Sequence, residues 1–507
     1  MAFTSLSFIL FFPVAALGYY VVPQKLKNSW LLVMSYYFYV CFDIVYSLFL
    51  LFSTLTTYFC GRLLERINAS RARKMILIVT ILLNLGLLFL FKYYNMFSAL
   101  AVRVFALLGI TLVPAQLSLL LPVGISFYTF QVLGYSIDVY RETVKAEQNF
   151  LDFALFVSFF PQLTSGPIGR ADALLPQFHR ERSFCYENVA EGLRIMLLGF
   201  FKKIVIADNI GIAVNRMFTY LDVFPGPVLL YGIVLYAMQV YCDFSGYSDI
   251  AVGAAKVMGF DLTRNFDHPY FSETISEFWR RWHISLCSWF RDYLFYPVLR
   301  SPLCISLTRR FSRAGHKQAA RILPTAIAQM VVWFTTGLWH GAAWTYVAWG
   351  GLHGIYQIVG NITQSSRKRL AKKTGWDKVP RLSHPVKVIC TFSLVCVGYV
   401  FFRSNSFDQA AYFFTHFYRG WGILIDLSAT MSAFISLADS VYVTLIILGS
   451  CFALWLLELY ERRRGLRFER LVAQLSLPCQ WFIYYLLLFS IALFGAFGQS
   501  SFIYFQF

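Results

Sequence analysis

The stretch Gly337-Leu-Trp-His340-Gly-Ala-Ala-Trp-Thr-Tyr-Val-Ala-Trp349-Gly-Gly-Leu-His353 sets an ionisable imidazole, His340, among residues that would otherwise suit a lipid bilayer. Such groups are costly inside hydrocarbon, so they usually mark a functional site or a water-filled cavity. Histidine can also take up and release a proton near neutral pH. The stretch therefore raises the question of what proton chemistry a membrane protein performs at His340.

The composition of the whole chain is that of a polytopic membrane protein. Hydrophobic residues make up 58% of its 507 residues and charged residues only 14%, against about 25% charged residues in soluble domains. The apolar runs predict an all-α protein of about 11 to 13 membrane helices, with re-entrant and interfacial helices in addition. Because no internal repeat and no soluble module is visible, we expect residues 1–507 to form one integrated membrane domain, with its core motifs in residues 120–360.

The net charge of +18 would point to nucleic acid in a soluble protein, but here the basic residues follow a membrane pattern. They cluster between apolar runs, at Arg62–Lys74, Arg309–Arg321, Arg367–Lys373 and Arg462–Arg470. Cytoplasmic loops carry such an excess of lysine and arginine, which also attracts anionic lipid headgroups. We therefore expect the lipid bilayer as a partner and no nucleic acid.

The same charge pattern locates His340 within the membrane topology. If Arg309–Arg321 and Arg367–Lys373 both face the cytoplasm, the apolar stretch between them crosses the bilayer an even number of times. Two helices with a break near Gly337–Ala343 satisfy this condition. The sequence thus predicts that His340 lies at or near a helix break.

The ten cysteines are scattered, mostly within apolar stretches, and form no Cys-x-x-Cys pair. Buried cysteine usually behaves as a small hydrophobic residue, and no zinc-ligand spacing is present. We predict neither a disulfide framework nor a metal site.

Between Asn265 and Tyr293 the apolar pattern gives way to aromatic and charged residues. Thr274-x-x-Glu277 is a capping box, which predicts the start of a helix, and Glu277 can pair with Arg281 one turn later. On a continuous helix, Arg280 and Arg291 share one face. Another, mostly aromatic face comprises Trp279, Trp282, His283, Leu286 and Phe290.

Two interpretations of this helix stay open from spacing alone. It is either an amphipathic interfacial helix, with tryptophans at headgroup level and arginines in solvent, or it holds His283 in a polar tunnel beneath the membrane surface. In the second case Arg280, Arg291 and Trp282 would line the tunnel or bind a phosphorylated cytoplasmic donor, since guanidinium suits phosphate geometry.

Five blocks of the chain together resemble membrane-bound O-acyltransferases. In chain order they are Phe160–Ile168, Tyr241–Ala251, Trp279–Tyr293, Gly337–Trp344 and Phe502–Phe507. The last block is similar to the bacterial branch that includes the alginate O-acetyltransferase membrane subunit. The D-alanyl transfer membrane protein of the teichoic acid pathway is a more distant member. The resemblance covers most of the chain in matching order.

The resemblance implies a mechanism in a tunnel through the bacterial cytoplasmic membrane. The family uses a histidine that matches His340, here as general base, and usually a second that matches His283. An acyl thioester enters from the cytoplasm and a hydroxyl acceptor from the other side. In the alginate-type branch the donor is acetyl-CoA, used as a substrate with no bound cofactor, and the product is an O-acetylated exported or envelope polysaccharide. Partner proteins outside the membrane often complete the transfer.

Elementary chemistry agrees with this implied mechanism. The attacking alcohol must lose its proton, and a neutral imidazole that accepts it typically contributes about 10²–10⁴-fold. Burial keeps a histidine in that neutral form, and His283 can stabilise the oxyanion or orient the reacting group. On a continuous helix His353 would lie roughly 20 Å from His340 on a nearly opposite face, so we interpret it as structural or tunnel-lining. For Asp243 and Asp249 we expect an ion pair or a helix-end hydrogen bond, with a further tunnel role open to Asp243.

Other functions remain to be weighed. A transporter or flippase for a lipid-linked or acyl substrate could use the same polytopic body, but repeats and paired intramembrane acids are lacking. A lipid-using glycosyltransferase would need carboxylates on the outer side of the membrane to act on an activated sugar, and the predicted outward loops contain few of them. A scaffold without chemistry, or transfer of another short acyl group such as D-alanyl to an envelope polymer, is also open. The acceptor, the acyl group, the partner proteins and the oligomeric state are not specified by the sequence.

Overall fold

The computed structural model describes residues 1–111, 113, 116–498 and 502–503. Within these residues all regular structure is helical and no strand occurs, which confirms the all-α prediction. The chain divides into two compact units, one of Met1–Met196 with Tyr247–Arg264 and one of Leu197–Gly246 with Asn265–Phe507. The expectation of one integrated membrane domain stays a prediction.

The first unit is built from membrane helices and short buried helices. Their bounds are Leu6–Val21, Lys27–Val40, Ile44–Arg66, Ser70–Leu88, Tyr94–Leu107, Ile125–Tyr140, Phe150–Ser158, Phe160–Leu163, Ala171–Phe178 and most of Tyr186–Phe200. A π-helical segment, Phe89–Tyr93, joins two of them into one apolar helix, Ser70–Leu107, whereas the apolar runs 75–92 and 101–139 of the sequence predict separate spans. The run 101–139 is too long for one span and predicts a break at Pro114 or Pro122. The helix does stop at Leu107 and the next begins at Ile125, while Pro114 lies outside the described residues.

The second unit holds the aromatic segment and the His340 stretch. Its helices are Asp208–Thr219, most of Gly226–Val257, Ile275–Arg281, Ile284–Phe290, Tyr296–Leu299, Pro302–Arg313, Lys317–His340, Trp344–Thr374, Pro380–Arg403, Phe407–His416, Leu427–Ala438, Val441–Arg464, Phe468–Ala473 and Leu477–Phe494. Two π-helical segments, Phe201–Ala207 and Arg291–Phe295, interrupt the regular helices.

Seven of the described helices are long and apolar enough to cross a membrane. They are Ile44–Arg66, Ser70–Leu107, Gly226–Val257, Lys317–His340, Pro380–Arg403, Val441–Arg464 and Leu477–Phe494. The protein is thus an integral, multi-pass membrane protein. The predicted total of about 11 to 13 by span length also included shorter pieces; the apolar run 151–163, for example, is divided between the short helices Phe150–Ser158 and Phe160–Leu163.

Lys317–His340 and Trp344–Thr374 form a helical hairpin, and the predicted break near Gly337–Ala343 is confirmed at residues 341–343. Two glycines bring the helices together, as small residues do at membrane helix interfaces. A Cβ on Gly337 would lie 2.4 Å from the Tyr346 carbonyl oxygen, and one on Gly350 would lie 2.2 Å from that of Trp333. This close packing holds His340 at the end of the first helix.

Replacing Gly350 with alanine is expected to lower the free energy of unfolding by about 1 to 3 kcal/mol, because the new methyl group overlaps the facing helix backbone. Gly360→Ala on the same helix is the matched control. The nearest atom to a Cβ at Gly360 is 3.9 Å away, and we expect this variant to stay within about 1 kcal/mol of wild type. Thermal unfolding in detergent measures both, and equal stability of the two variants would contradict the close approach.

The predicted continuous helix through Trp279 and Phe290 is wrong, because it is broken into Ile275–Arg281 and Ile284–Phe290. Its start is confirmed: the Glu277 N–H donates to Thr274 Oγ1 at 3.1 Å, and Arg281 Nη2 lies 2.7 Å from Glu277 Oε1. The helix does not continue past the break because Asn265 accepts hydrogen bonds from the backbone N–H groups that follow His283, those of Ile284 and Ser285. At the break His283 has φ 45° and ψ 53°, in the left-handed region.

Candidate active site

His340 is the last residue of the first hairpin helix and is only 4% exposed. Three aromatic rings surround its imidazole: Trp339 and Trp349, each with a centroid distance of 4.9 Å, and Phe402 at 5.2 Å. All three are nearly perpendicular to the imidazole, at 82°, 85° and 75°. The apolar surroundings exclude water and strengthen any electrostatic interaction that the imidazole makes.

His283 lies at the break between the two short helices and is 1% exposed. Its ring packs on Phe244 at 4.6 Å and on Trp339 at 5.8 Å. Burial lowers the pKa of His283 to about 3, since a charged imidazole is disfavoured in a low-dielectric environment. The ring is therefore neutral near pH 7.

The two predicted catalytic histidines come together around one side chain, Trp339. Its ring centroid lies 4.9 Å from that of His340 and 5.8 Å from that of His283. The distance between the two imidazole centroids is therefore at most the sum of these two values. The sequence predicted both residues but not the tryptophan between them. Their roles in proton transfer stay predictions.

The residues predicted to line a tunnel or bind a donor do not form one group. Trp282 is buried, stacked on Phe278 at 5.4 Å, so its ring lies inside the protein. Arg280 and Arg291 are exposed on separate short helices, and Arg291 Nε donates to Asp292 Oδ1 at 2.9 Å. The face that these arginines were predicted to share is lost with the helix break.

His353 lies much nearer to His340 than a continuous helix would place it, because the chain folds back at residues 341–343. The Trp349 ring contacts both, at 4.9 Å from the His340 ring and 5.1 Å from the His353 ring. His353 is fully buried, and its Nδ1 accepts a hydrogen bond from Trp279 Nε1 at 3.2 Å. The predicted separation of roughly 20 Å on an unbroken helix is therefore wrong, while the interpretation of His353 as structural or tunnel-lining stays a prediction.

Asp243 belongs to a buried ionic triad, which confirms the expected ion pair. Lys203 Nζ lies 2.5 Å from Asp243 Oδ1 and 2.7 Å from Asp208 Oδ1, and the three side chains are at most 7% exposed. Asp243 Oδ2 also accepts the Ile503 N–H at 2.8 Å. Residues 502 and 503 are the described part of the block Phe502–Phe507; its remainder lies outside the described residues. A lysine pair inside the apolar run 192–210 was the signal that sequence reasoning missed.

A second polar cluster surrounds His268. His268 is in a loop, at φ 46°, but is 6% exposed. Its Nε2 lies 2.5 Å from Glu461 Oε2 and its Nδ1 lies 3.2 Å from Asp267 Oδ1, while Arg467 Nη2 donates to Asp267 at 2.5 Å. Burial acts to lower the pKa of His268, but the hydrogen bonds to both carboxylates outweigh burial and raise it. The hydrogen bond from His268 and the Arg467 charge lower the pKa of Asp267 to about 2.

The raised pKa of His268 predicts a pH dependence of stability. The folded protein holds the proton more tightly than the unfolded chain, so the contribution is fully present below about pH 6.5 and is lost as the pH rises through the raised value. We expect the free energy of unfolding to fall over that range, and His268→Gln to remove this part of the slope. Denaturant unfolding at a series of pH values measures it. His316→Gln, at an exposed histidine, is the control, and an unchanged slope in His268→Gln would contradict the assignment.

Glu147, Asp152 and His179 form a third cluster, within the first unit. His179 Nε2 lies 3.1 Å from Glu147 Oε2 and 3.7 Å from Asp152 Oδ2. In the part of the chain that the structure describes, this is the one group of three whose ligand-type atoms lie within 4.8 Å of one another. Asn28 Nδ2 donates to the other Asp152 oxygen at 2.8 Å. The prediction of no metal site rested on cysteine spacing and did not anticipate this group.

Comparison with known proteins adds to this geometry. Residues 31–308 match the protein family described as MBOAT, membrane-bound O-acyltransferase family. The chain is 37% identical over 416 residues to a probable alginate O-acetylase of Pseudomonas aeruginosa, across 81% of this chain and 73% of that relative. It is 30% identical to a peptidoglycan O-acetyltransferase of Helicobacter pylori, across 80% and 77% of the two chains. A teichoic acid D-alanyltransferase of Streptococcus thermophilus is 29% identical, across 56% and 69%.

Proposed function

Because the chain belongs to the membrane-bound O-acyltransferase family, we propose that it transfers an acetyl group from a cytoplasmic thioester, acetyl-CoA, to hydroxyl groups of an exported or cell-envelope polysaccharide. The protein is an O-acyltransferase, and its relatives are named for O-acylation of alginate, peptidoglycan and teichoic acid. An alginate-like polymer is the first choice, since the alginate O-acetylases match more of the chain at higher identity than the D-alanyltransferases do. Transfer of D-alanyl or another short acyl group is the alternative.

The observation that carries the proposal is the pair of buried histidines that both contact the ring of Trp339. His340 removes the proton of the acceptor hydroxyl as its oxygen attacks the thioester carbonyl carbon. The tetrahedral intermediate then collapses, the carbon–sulfur bond breaks, and the leaving thiolate takes the proton from the His340 imidazolium. Neutral His283, which also contacts Trp339, orients the reacting groups.

The proposed setting is the bacterial cytoplasmic membrane. Acetyl-CoA is a substrate and not a resident cofactor. It binds from the cytoplasmic side, which is also the side to which the positive-inside rule assigns the basic clusters. The acceptor approaches from the other side, where separate acetyltransferase or polysaccharide-binding proteins complete the transfer. Arg280, Arg291 and Trp282 remain the proposed donor-side residues, because guanidinium groups suit the phosphates of coenzyme A.

The proposed function is tested with the full chain in lipid nanodiscs and acetyl-CoA labelled in the acetyl group. We expect release of free coenzyme A and label on an O-acetylatable polysaccharide, supplied with its outer partner proteins. D-alanyl transfer from its carrier thioester, run in parallel, separates the two acyl groups. Consumption of neither thioester with any acceptor would contradict the proposal.

A further inference from the structure

Two buried nitrogen donors near His340 face one glycine. His353 Nε2 and Trp349 Nε1 have no hydrogen-bonding partner among the described residues, and their side chains are 0% and 2% exposed. A buried donor without a partner is destabilised by about 1 to 3 kcal/mol. Each such group calls for an explanation, and one acceptor atom of a bound ligand would account for both.

The hydrogen bond from Trp279 fixes which His353 nitrogen carries the proton. An indole nitrogen only donates, so Nδ1 of His353 must accept the hydrogen bond from Trp279 Nε1. A ring that accepts at Nδ1 is neutral and carries its hydrogen on Nε2. The Nε2–H of His353 is therefore a donor, as is the Nε1–H of Trp349.

Both donors face the same side of the helix Pro380–Arg403, at Gly398. A Cβ at this position would lie 2.9 Å from His353 Nε2 and 3.5 Å from Trp349 Nε1. The two nitrogens therefore approach the same point beside Gly398, and the contact is too close to admit a methyl group there. One acceptor oxygen that lies farther from the glycine can bind both donors. The ring of Trp349 also contacts the His340 ring at 4.9 Å, so the two donors are separated from His340 by a single side chain.

We propose that His353 Nε2–H and Trp349 Nε1–H bind the carbonyl oxygen of the acyl group and stabilise its oxyanion during transfer. This inference rests on the proposed function. Acyl transfer places negative charge on that oxygen when the hydroxyl attacks, and fixed donors in a site without water stabilise it most. The base must lie within reach of the attacking hydroxyl, with reacting atoms about 3 Å apart, and the His340 ring packs against the Trp349 ring that carries one of the two donors. The carbon–oxygen π electrons move to the oxygen on attack and return when the carbon–sulfur bond breaks.

The test compares acetyl-CoA with dithioacetyl-CoA, in which sulfur replaces the carbonyl oxygen and accepts hydrogen bonds weakly. Trp349→Phe keeps the ring and removes the N–H, and it is expected to lower kcat for acetyl-CoA roughly 10²-fold with little change in KM. The kcat of this variant should fall less with dithioacetyl-CoA than with acetyl-CoA. The ratio of kcat for acetyl-CoA to kcat for dithioacetyl-CoA is therefore expected to fall below its wild-type value. Trp333→Phe is the matched control. The Trp333 ring also packs on His353, at 5.5 Å, but none of the atoms nearest a Cβ at Gly398 belongs to Trp333.

A second variant tests the same place without substituting either donor residue. Gly398→Ala sets a methyl group within 2.9 Å of His353 Nε2 and should lower both kcat and the rate ratio, while Gly360→Ala should change neither. If both site variants keep the wild-type ratio, the donors bind a water molecule or serve packing, and the inference is overturned while the proposed function stands. If the wild-type protein turns over neither donor, the proposed function fails and the inference falls with it.

Discussion

Replacing His340 with alanine is expected to lower the rate of acyl transfer by about 10²–10⁴-fold, the usual contribution of a positioned general base. His340 is 4% exposed and enclosed by the rings of Trp339, Trp349 and Phe402. These rings carry no basic group that could accept the proton in place of the missing imidazole. The measurement is coenzyme A release and label transfer to the polysaccharide under saturating acetyl-CoA.

The control for this variant is His316→Ala, which removes an exposed imidazole directly before the same helix. We expect it to leave kcat within about twofold of wild type, as surface substitutions away from a site usually have small effects. His340→Ala leaves a cavity at a buried site and is expected to lower the unfolding temperature, so both variants are assayed at a temperature at which each is shown to be folded. Full activity in a folded His340→Ala protein would exclude this residue as the base.

Replacing Lys203 with methionine is expected to lower the free energy of unfolding by about 3 to 5 kcal/mol, because it leaves buried carboxylates without their cation. Lys203 lies 2.5 Å from Asp243 and 2.7 Å from Asp208, and its side chain is 1% exposed. The methionine fills nearly the same volume, so the loss reflects charge. Denaturant unfolding in detergent micelles measures the effect.

Two further variants separate charge from packing at this site. The triple variant Lys203→Met, Asp208→Asn, Asp243→Asn removes all three charges and should recover part of the lost stability. Lys256→Met breaks an ion pair at the surface, where the partner Asp261 is 73% exposed, and should change the free energy of unfolding by less than about 1 kcal/mol. Equal effects of Lys203→Met and Lys256→Met would mean that burial does not determine the strength of the triad.

The features that the sequence predicted well depend on residues close together in the chain. The break after His340 follows from glycines and charge pattern, and the Thr274 cap and the Glu277–Arg281 pair span a single helical turn. The helix break at His283 was not predictable in this way. It results from Asn265, whose carbonyl and side chain bind the N–H groups of Ile284 and Ser285, and no local pattern shows that competition.

By itself, the sequence determined that the chain is an all-helical membrane protein and that His340 and His283 are the residues to examine. Hydrophobic run length, basic clusters and motif order are properties of the chain alone, and they carry the class and the family. Only the tertiary structure decided that both histidines pack on Trp339, that Lys203 neutralises Asp243, and that His353 returns to the site through Trp349. Ring contacts, ion pairs and orphaned donors depend on distances between residues far apart in the chain, and those distances exist only once the helices have packed.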